Sequence, residues 1–526
     1  MSGLMEAGNE ERPYPVFIDG ESLRVEDVVR VARDRFPVQL SQEACQKILR
    51  AWETLKALID NRQTIYGVST GFGKLSSVFI SKEESRELQK NLIISHACGV
   101  GKPFPEEVVR AIMLLRANTL AKGYSGVRLP VVETLVHMLN KGVHPVVPEK
   151  GSLGASGDLA PLAHIALVMI GHGEAYFRGQ RLPGRKAMHM AGIPTIDPEG
   201  KDGLGLINGT QVMSALGALW VDEAQTLAET ANIAAALTFE ALMGLSQALD
   251  PRVHAVRPHP GQSACAAFLR AMLEGSTYAG QSGRVQDAYS LRCVPQVHGA
   301  SVDAIGYVKR VIQTEINSVT DNPLVFPEDG EVVSGGNFHG QPLAIAMDLL
   351  AIAMSELANI SERRIERMVN PQLSGLPPFL TPRSGLNSGL MIAQYTAAAL
   401  VSENKILASP ASVDSIPTSA NQEDHVSMGA IAARKAGEVL ENLRHVLAIE
   451  LMCAAQAVDL QVLGTLGRGT SAAYRVIREV IPKLESDRVM YTDVQKAEEL
   501  LSTRRLLRSV IEEIGAASRA IGGQNT

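Results

Sequence analysis

The segment of residues 151–164 contains the residues with the most unusual chemical reactivity in this sequence. At its centre, Ala155, Ser156 and Gly157 form a triad of small residues in a glycine-rich turn, and an apolar, helix-like run follows. Ser156 can lose water to give an alkene, and Gly157 has no side chain to keep its amide nitrogen from the Ala155 carbonyl. Ring closure with dehydration makes this backbone an electrophile. The alternative is an ordinary loop, with Asp158 at the N-terminus of the next helix.

Two further residues have side chains that suit acid–base work or contact with a ligand. Tyr66 opens a stretch, residues 66–73, that holds three glycines in eight positions. It is either an acid–base hydroxyl in a loop that substrate can approach or a packed structural tyrosine. His96 ends an apolar helix-like run, where it either contacts a ligand ring or simply favours the negative end of the helix dipole.

The second half of the chain contains candidate binding residues. Gln286, Tyr289 and Arg292 are spaced by three, so one helical turn would present them on one face. The planar guanidinium of Arg292 suits two-point binding of a carboxylate, although a solvated helix with an ion pair is the alternative. Three single residues complete the set, each in a turn, a glycine-rich loop or a helix start: Asn208, Phe338 and Glu423. For Asn208 a plain cap or turn is the alternative, and for Glu423 a favourable helix N-terminus.

Composition excludes several classes of function. The 526 residues are 45% hydrophobic with a net charge of -6, and no basic patch dominates, so we expect no nucleic-acid partner and no membrane association. Residues 1–13 are polar and lack the apolar core of a signal peptide. The five cysteines are scattered without a CxxC pair, which argues against a disulfide framework or a zinc site. We therefore expect a cytoplasmic protein without a metal.

The elements that must position these residues are mostly helices. Periodicity predicts four helices in the first part of the chain, at about 41–60, 82–97, 105–122 and 130–141, and Asp19-Gly20 indicates a hairpin. From Gln211 onward long helical stretches recur, at about 211–249, 297–317, 342–369, 386–408 and 424–463. We expect a mainly α protein with three parts: a mixed, loop-rich domain over 1–210, a long-helix bundle over 211–480 and a helical region over 481–526. The apolar surface of the bundle predicts oligomerisation.

Together these motifs resemble the aromatic amino acid ammonia-lyase family, and most closely its histidine-acting branch, the histidases. The resemblance runs from about residue 14 to 515 and rests on residues 66–73, 151–164, 208–210, 286–296, 337–338 and 421–426. It implies that Ala155, Ser156 and Gly157 cyclise without help into a methylideneimidazolone, with no external cofactor. It also implies a fumarase/aspartase-like homotetramer of long helices whose active sites are shared between subunits.

The resemblance assigns a role to each candidate. Tyr66 corresponds to the base that removes the β-proton, and Arg292 to the arginine that binds the substrate carboxylate. The remaining residues line the site: Asn208, Gln286, Tyr289 and Phe338. His96 and Glu423 match the positions that select the substrate ring, because an imidazole has two nitrogens that need partners and a phenyl ring has none.

The expected activity is the deamination of L-histidine to trans-urocanate and ammonia, the first step of histidine degradation. Two alternatives stay open. The same electrophile can serve a phenylalanine or tyrosine ammonia-lyase or an aminomutase; in the phenylalanine enzymes of the family an apolar pair at positions 95–96 and a glutamine at position 423 are typical. The chain can also be a catalytically silent helical oligomer, in which the triad would remain unmodified.

Overall fold

A computed structural model describes residues 14–81, 84–461 and 464–515. Within these ranges the protein has twenty α-helices and nine short strands, which confirms the expected mainly α class. The strands are β1 Val16–Ile18, β2 Val38–Leu40, β3 Val100–Pro103, β4 Val143–Pro145, β5 Pro148–Lys150, β6 Glu174–Phe177, β7 Gln180–Pro183, β8 Leu324–Phe326 and β9 Glu331–Val333. The helices are α1 Val25–Ala32, α2 Gln42–Asp60, α3 Ser85–His96, α4 Glu106–Ala121, α5 Leu129–Lys141, α6 Leu159–Met169, α7 Gly184–Met190, α8 Asp202–Ile207, α9 Gln211–Ala241, α10 Pro251–Ala255, α11 Pro260–Met272, α12 Tyr289–Arg292, α13 Val294–Glu315, α14 Gln341–Val369, α15 Pro371–Ser374, α16 Met391–Leu407, α17 Gly429–Leu460, α18 Arg468–Val480, α19 Met490–Ser502 and α20 Arg505–Ile514.

The chain divides into two compact units that alternate along the sequence. Unit 1 contains the described residues up to Leu219, together with Val311–Ala344 and Ser412–Ile431. Unit 2 contains Trp220–Arg310, Ile345–Ala411 and the described residues from Ala432 onward.

Unit 1 contains every one of the nine strands and packs its short helices around α4. Helix α4 begins after Pro105 with two glutamates in its first turn, where carboxylates are favourable, and is buried from Val108 to Ala121. Ser41 caps α2 as predicted, because its side chain accepts a hydrogen bond from the backbone of Ala44. The hairpin predicted at Asp19-Gly20 is wrong. Strand β1 pairs in parallel with β2, and the Asp19 carboxylate instead accepts hydrogen bonds from the backbone of residues 21 and 22 in a local turn.

The regular elements of unit 2 in its described residues are all helices, joined by loops. The predicted apolar face of α17 is confirmed, because its four leucines are all buried: Leu440, Leu443, Leu447 and Leu451. Helix α14 is the one described helix that is long and apolar enough to cross a membrane, and 67% of that stretch is buried inside the protein, as in a core helix. An ion pair lies within this core. Arg364 donates to both carboxylate oxygens of Glu450, and both side chains are fully buried.

Each unit also buries a histidine beside an arginine. In unit 1, Nε2 of His144 accepts a hydrogen bond from Arg110 at 3.1 Å. In unit 2, Nε2 of His298 faces Arg364 at 3.3 Å while its Nδ1 donates to Asn232. Burial is the main cause that lowers the pKa of both rings, and the neighbouring arginine adds to it; the pKa of His144 falls to about 3.

These histidines predict a loss of stability in acid. Their folded pKa values lie below the ordinary 6.5, so the neutral ring stabilises the fold fully above pH 6.5 and this stability is lost as the pH falls toward the folded values. Each ring contributes a slope of up to about 1.4 kcal/mol per pH unit in that window. We expect His298→Gln to flatten the pH dependence of the urea midpoint between pH 7.5 and 4.5. The exposed His189→Gln is the control, and equal slopes in both variants would contradict this account.

Candidate active site

The triad lies in unit 1, pressed against the backbone that follows α8. Gly157 has a φ of +71°, and a Cβ there would lie 2.2 Å from the carbonyl oxygen of Gly209, so only glycine fits. The next amide, that of Asp158, donates to the same oxygen at 2.7 Å. Ser156 and Ala155 are half-buried beside this contact. The absence of a side chain at Gly157 therefore permits a close approach to the Gly209 backbone, a contact different from the approach to the Ala155 carbonyl that the sequence suggested.

Asp158 fixes the C-terminal side of the triad. One carboxylate oxygen accepts the backbone N–H groups of Val212 and Met213, both at 3.0 Å, in the first turn of α9. The other accepts the Ser152 hydroxyl at 2.8 Å. Complete burial raises the pKa of Asp158 to about 6 against the effect of these hydrogen bonds. The alternative interpretation of the sequence placed Asp158 at the N-terminus of the next helix. Asp158 is the N-cap residue of α6, but its carboxylate makes no capping hydrogen bond there and binds the N-terminus of α9 instead.

Asn208 contacts the reactive serine. The Ser156 hydroxyl donates to Oδ1 of Asn208 at 3.0 Å. The Asn208 amide nitrogen donates to Oδ1 of Asp321 at 3.3 Å and to the carbonyl of Asn322 at 3.1 Å. Lys201 binds the other oxygen of Asp321 at 2.5 Å, and neither side chain of this ion pair is exposed. Asn208 is thus more than a turn residue, because it connects the triad to a buried ion pair.

The loop of residues 66–73 places Tyr66 in the same unit. The Tyr66 hydroxyl accepts the N–H of Gly73 at 2.9 Å, and its ring makes an edge-on contact with Phe72. Gln89 on α3 donates to the carbonyl of Gly67 and accepts from the backbone of Leu204 on α8. One side chain therefore ties the tyrosine loop both to the helix that ends at His96 and to the helix that precedes Asn208.

His96 and Glu423 are brought together. His96 is the last residue of α3, as predicted, and its Nδ1 lies 3.0 Å from the Ser95 hydroxyl. Burial is the largest effect on this ring and lowers its pKa, whereas the charge of Glu423 acts in the opposite direction. One oxygen of Glu423 accepts the Thr418 hydroxyl at 2.8 Å. An imidazole and a carboxylate are suitable partners for a ligand ring that has its own nitrogens.

Glu423 does not begin the longest helix, so the prediction of a helix from 424 is wrong. Helix α17 begins at Gly429, and residues 418–423 form a tight loop closed by backbone hydrogen bonds between Thr418 and Glu423. Three consecutive non-glycine residues in it have positive φ: Ser419, Ala420 and Asn421. Such backbone costs about 1 kcal/mol or more per residue and persists only where surrounding contacts hold it. A Cβ at Gly73 would lie 2.7 Å from the Ser419 hydroxyl, so the tyrosine loop is one of those contacts.

Phe338 lies half-buried in the glycine-rich loop before α14. The next residue, His339, stacks parallel to His425, with ring centroids 5.8 Å apart, and lies 3.2 Å from the His425 carbonyl. On the other side, the Ser427 hydroxyl donates to the carbonyl of Gly154 at 2.9 Å. Unit 1 therefore joins the loops of Phe338 and Glu423 to each other and to the segment that carries the triad.

Gln286, Tyr289 and Arg292 belong to unit 2. The prediction that one helical turn carries all three is wrong for Gln286, because α12 begins at Tyr289. Asp287 accounts for the break: its carboxylate accepts the side chain of Arg284 and the backbone of Leu245, which holds the preceding segment outside the helix.

The guanidinium of Arg292 lies 4.9 Å from the Tyr289 ring centroid. Its buried Nε has no hydrogen-bond partner among the residues that the structure describes, while Tyr289 is 71% exposed. A buried guanidinium nitrogen without an acceptor is costly, and an anionic ligand would relieve that cost.

Several residues of this region were not assigned a role from the sequence. Lys201 and Asp321 lie 120 positions apart, and no local pattern indicates that they pair. His164 was visible as the end of the triad motif, yet its contact is distant: its Nε2 accepts the backbone N–H of Gly99 at 3.1 Å. That bond joins the helix after the triad to the turn after His96.

Known proteins of one family resemble this chain over most of its length. Residues 23–479 match the family model for aromatic amino acid lyases. The histidine ammonia-lyase of Alkaliphilus oremlandii is 59% identical over 94% of this chain and 98% of its own length. The crystal structure of histidine ammonia-lyase from Trypanosoma cruzi superimposes with a TM-score of 0.91 at 44% identity, covering 97% of both chains. A tyrosine aminomutase from Streptomyces globisporus has a TM-score of 0.91 at 40% identity, over 95% of this chain and 99% of its own. The chain belongs to the aromatic amino acid lyase family.

Proposed function

We propose that this protein catalyses the non-oxidative deamination of L-histidine to trans-urocanate and ammonia. The observation that carries the proposal is that His96 and Glu423 both lie in unit 1, where the charge of Glu423 acts on the His96 ring. Their imidazole and carboxylate match the two nitrogens of a substrate imidazole, and a phenyl ring would leave both groups unpaired. The identity of 59% to a histidine ammonia-lyase supports the same substrate.

The electrophile of the proposed reaction is a methylideneimidazolone formed from Ala155, Ser156 and Gly157. The surroundings of the triad fit this group, because the close approach of Gly157 to Gly209 leaves no room for a side chain and the Ser156 hydroxyl already has a fixed partner. Once formed, the group supplies an electrophilic methylene carbon. No metal is needed in this proposal.

The chain's own residues perform the remaining tasks. Tyr66 takes the β-proton at its phenolic oxygen, which the Gly73 N–H holds in position. Arg292 binds the substrate carboxylate, and the unpaired Nε supports that role. One oxygen of Glu423 is occupied by Thr418, which leaves the other for a ring N–H of histidine. Four residues line the site: Asn208, Gln286, Tyr289 and Phe338.

The deciding experiment is the ultraviolet absorbance of urocanate, followed while the purified protein acts on histidine, tyrosine and phenylalanine in parallel. Histidine is expected to turn over, and the other two substrates not. Turnover of phenylalanine without histidine would refute the substrate assignment. Any product formed from tyrosine must be identified, because an aminomutase of the same fold is 40% identical to this chain. Chromatography that separates β-tyrosine from coumarate distinguishes a mutase from a lyase.

Glu423→Gln tests the selection of the ring. The amide keeps the size of the side chain and its contact with Thr418 but loses the charge that faces an imidazole. We expect kcat/KM for histidine to fall by about 10- to 100-fold, the range for a lost charge-assisted hydrogen bond. Asp424→Asn, a neighbouring exposed carboxylate, is the control. Equal kinetics in Glu423→Gln and the native protein would remove Glu423 from ring recognition.

Arg292→Ala tests binding of the carboxylate. Loss of the guanidinium is expected to raise the KM for histidine by about 10- to 100-fold, with a smaller effect on kcat. Arg292→Lys keeps the charge without the planar fork, and its KM should lie between the two. An unchanged KM in Arg292→Ala would contradict the assigned role.

We also infer a homotetramer with active sites shared between subunits. Exposed apolar side chains support an interface, among them Ile392 at 61%, Tyr395 at 63% and Ile406 at 75% on α16, together with Tyr289. Native mass spectrometry tests the stoichiometry, and a monomeric active enzyme would refute it. A cytoplasmic location remains a prediction from composition. A silent oligomer, the remaining alternative, would show an unmodified triad by intact mass.

A further inference from the structure

We infer that the buried pair of Lys201 and Asp321 is a positioning device for Asn208, which holds the Ser156 hydroxyl in the orientation needed for its loss as water. The inference rests on the proposed function, because it concerns formation of the electrophile from the triad. Lys201 and Asp321 neither touch substrate nor belong to the triad, and they act through Asn208.

The first step is the orientation of the Asn208 amide. Its nitrogen faces two acceptors, Oδ1 of Asp321 and the carbonyl of Asn322. A flipped amide would set its oxygen against both of these oxygens, so the neighbours permit only one orientation. Oδ1 of Asn208 must then face Ser156, whose hydroxyl donates to it at 3.0 Å.

Asp321 must also be held as an acceptor for the Asn208 amide nitrogen. Lys201 binds the second carboxylate oxygen of Asp321 at 2.5 Å, with both side chains fully buried, and so holds the carboxylate in place. The backbone N–H of Asn322 donates to the oxygen that also receives Asn208. Arg116, also buried, donates to the carbonyl of Gly205 on α8, between Lys201 and Asn208 in sequence. Asp321 thus has no freedom to turn its oxygens away from the Asn208 amide.

The third step concerns the chemistry. Ring closure joins the Gly157 nitrogen to the carbonyl carbon of Ala155, and that carbonyl oxygen departs as one water with the amide hydrogens of Ser156 and Gly157. The second water takes the Ser156 oxygen, its own hydrogen and the Cα hydrogen of Ser156. This second elimination needs the Cβ–Oγ bond in line with the breaking Cα–H bond, and the hydrogen bond to Asn208 selects one rotamer of Ser156.

The experiment measures ring closure directly, by intact mass of the purified full-length protein. The native chain is expected to be lighter than its sequence mass by about 36 Da, the mass of two waters. Asp321→Asn can donate to the Asn208 oxygen and release its orientation, so we expect fewer than half of the chains to show the full loss. Lys201→Met/Asp321→Asn removes the pair without leaving a buried lone charge and is expected to lower the cyclised fraction to the same extent.

Two comparisons separate positioning from a general loss of stability. Arg364→Met/Glu450→Gln removes another fully buried ion pair, in unit 2, and is expected to keep the full mass loss. Asn208→Ala should lower the cyclised fraction, and adding Asp321→Asn to it should lower that fraction no further, because the carboxylate acts through the amide.

Complete cyclisation of the folded Lys201→Met/Asp321→Asn protein would overturn the inference. The inference would also be overturned if Asp321→Asn and Asn208→Ala lowered the cyclised fraction additively. The same holds if the unit 2 control lowered the cyclised fraction as much as the Lys201→Met/Asp321→Asn variant does. Native protein that has lost both waters yet does not convert histidine would refute the proposed activity alone. Native protein at its full sequence mass would refute the electrophile and this inference together.

Discussion

Ser156→Ala is expected to abolish turnover of histidine while the protein keeps its fold. The methyl group cannot lose water, so the electrophilic carbon never forms, and we expect the rate to fall by at least about a thousandfold, equivalent to about 4 kcal/mol. Folding should change little, because the native chain has itself lost the Ser156 hydroxyl in the proposed cyclisation, so the hydrogen bond to Asn208 does not hold the mature fold. The measurement combines urocanate absorbance with intact mass and thermal melting.

The Ser156→Ala variant distinguishes a chemical role of Ser156 from a structural role, because the two roles predict different outcomes. Loss of activity with a native melting curve and without the two-water mass loss supports the assignment of Ser156. Activity within about tenfold of the native rate would refute it. Loss of both activity and fold would instead make Ser156 a structural residue.

Tyr66→Phe is expected to lower kcat by about 10²- to 10⁴-fold, the usual contribution of a positioned acid–base group. The phenyl ring preserves the edge-on contact with Phe72, and only the hydroxyl that accepts the Gly73 N–H is lost. The triad should still cyclise, so this variant should show the same loss of two waters, relative to its own sequence mass, as the native protein. That outcome distinguishes a missing base from a missing electrophile.

The chain offers a matched control for Tyr66→Phe. Tyr124, in the same unit, makes an equivalent edge-on contact with Phe326, at a centroid distance of 5.6 Å. Tyr124→Phe should leave kcat within about twofold of the native value while removing the same atom from a similar setting. Equal losses in both variants, or native activity in Tyr66→Phe, would contradict the role of Tyr66 as base.

Local patterns predicted much of this structure because they depend on near neighbours. The cap at Ser41 and the end of α3 at His96 follow from signals within one helical turn, and the apolar face of α17 follows from helical periodicity. The triad could be recognised because all its reactive atoms come from three adjacent residues.

The failures arise where distant contacts override local preference. Residues 418–428 read as the start of a helix, but three left-handed residues and the contact with Gly73 keep them as a loop. Asp19-Gly20 reads as a hairpin, but β1 finds its partner beyond α1. The roles of Asp158 and Asp321 depend on residues about 54 and 113 positions away from them, as their hydrogen bonds to Val212 and Asn208 show, and no window of the sequence contains both ends.

The Ser427 hydroxyl, which binds the carbonyl of Gly154, has a consequence for the order of events during protein synthesis. The two residues are 273 positions apart. At about 5–20 residues per second, a ribosome adds the partner roughly 15 to 55 s after the triad. Asn208 is synthesised soon after the triad, whereas Asp321 and Ser427 are synthesised much later. The nascent triad therefore lacks its complete surroundings until Ser427 has been added. The proposed electrophile would thereby form only after most of the chain has been made.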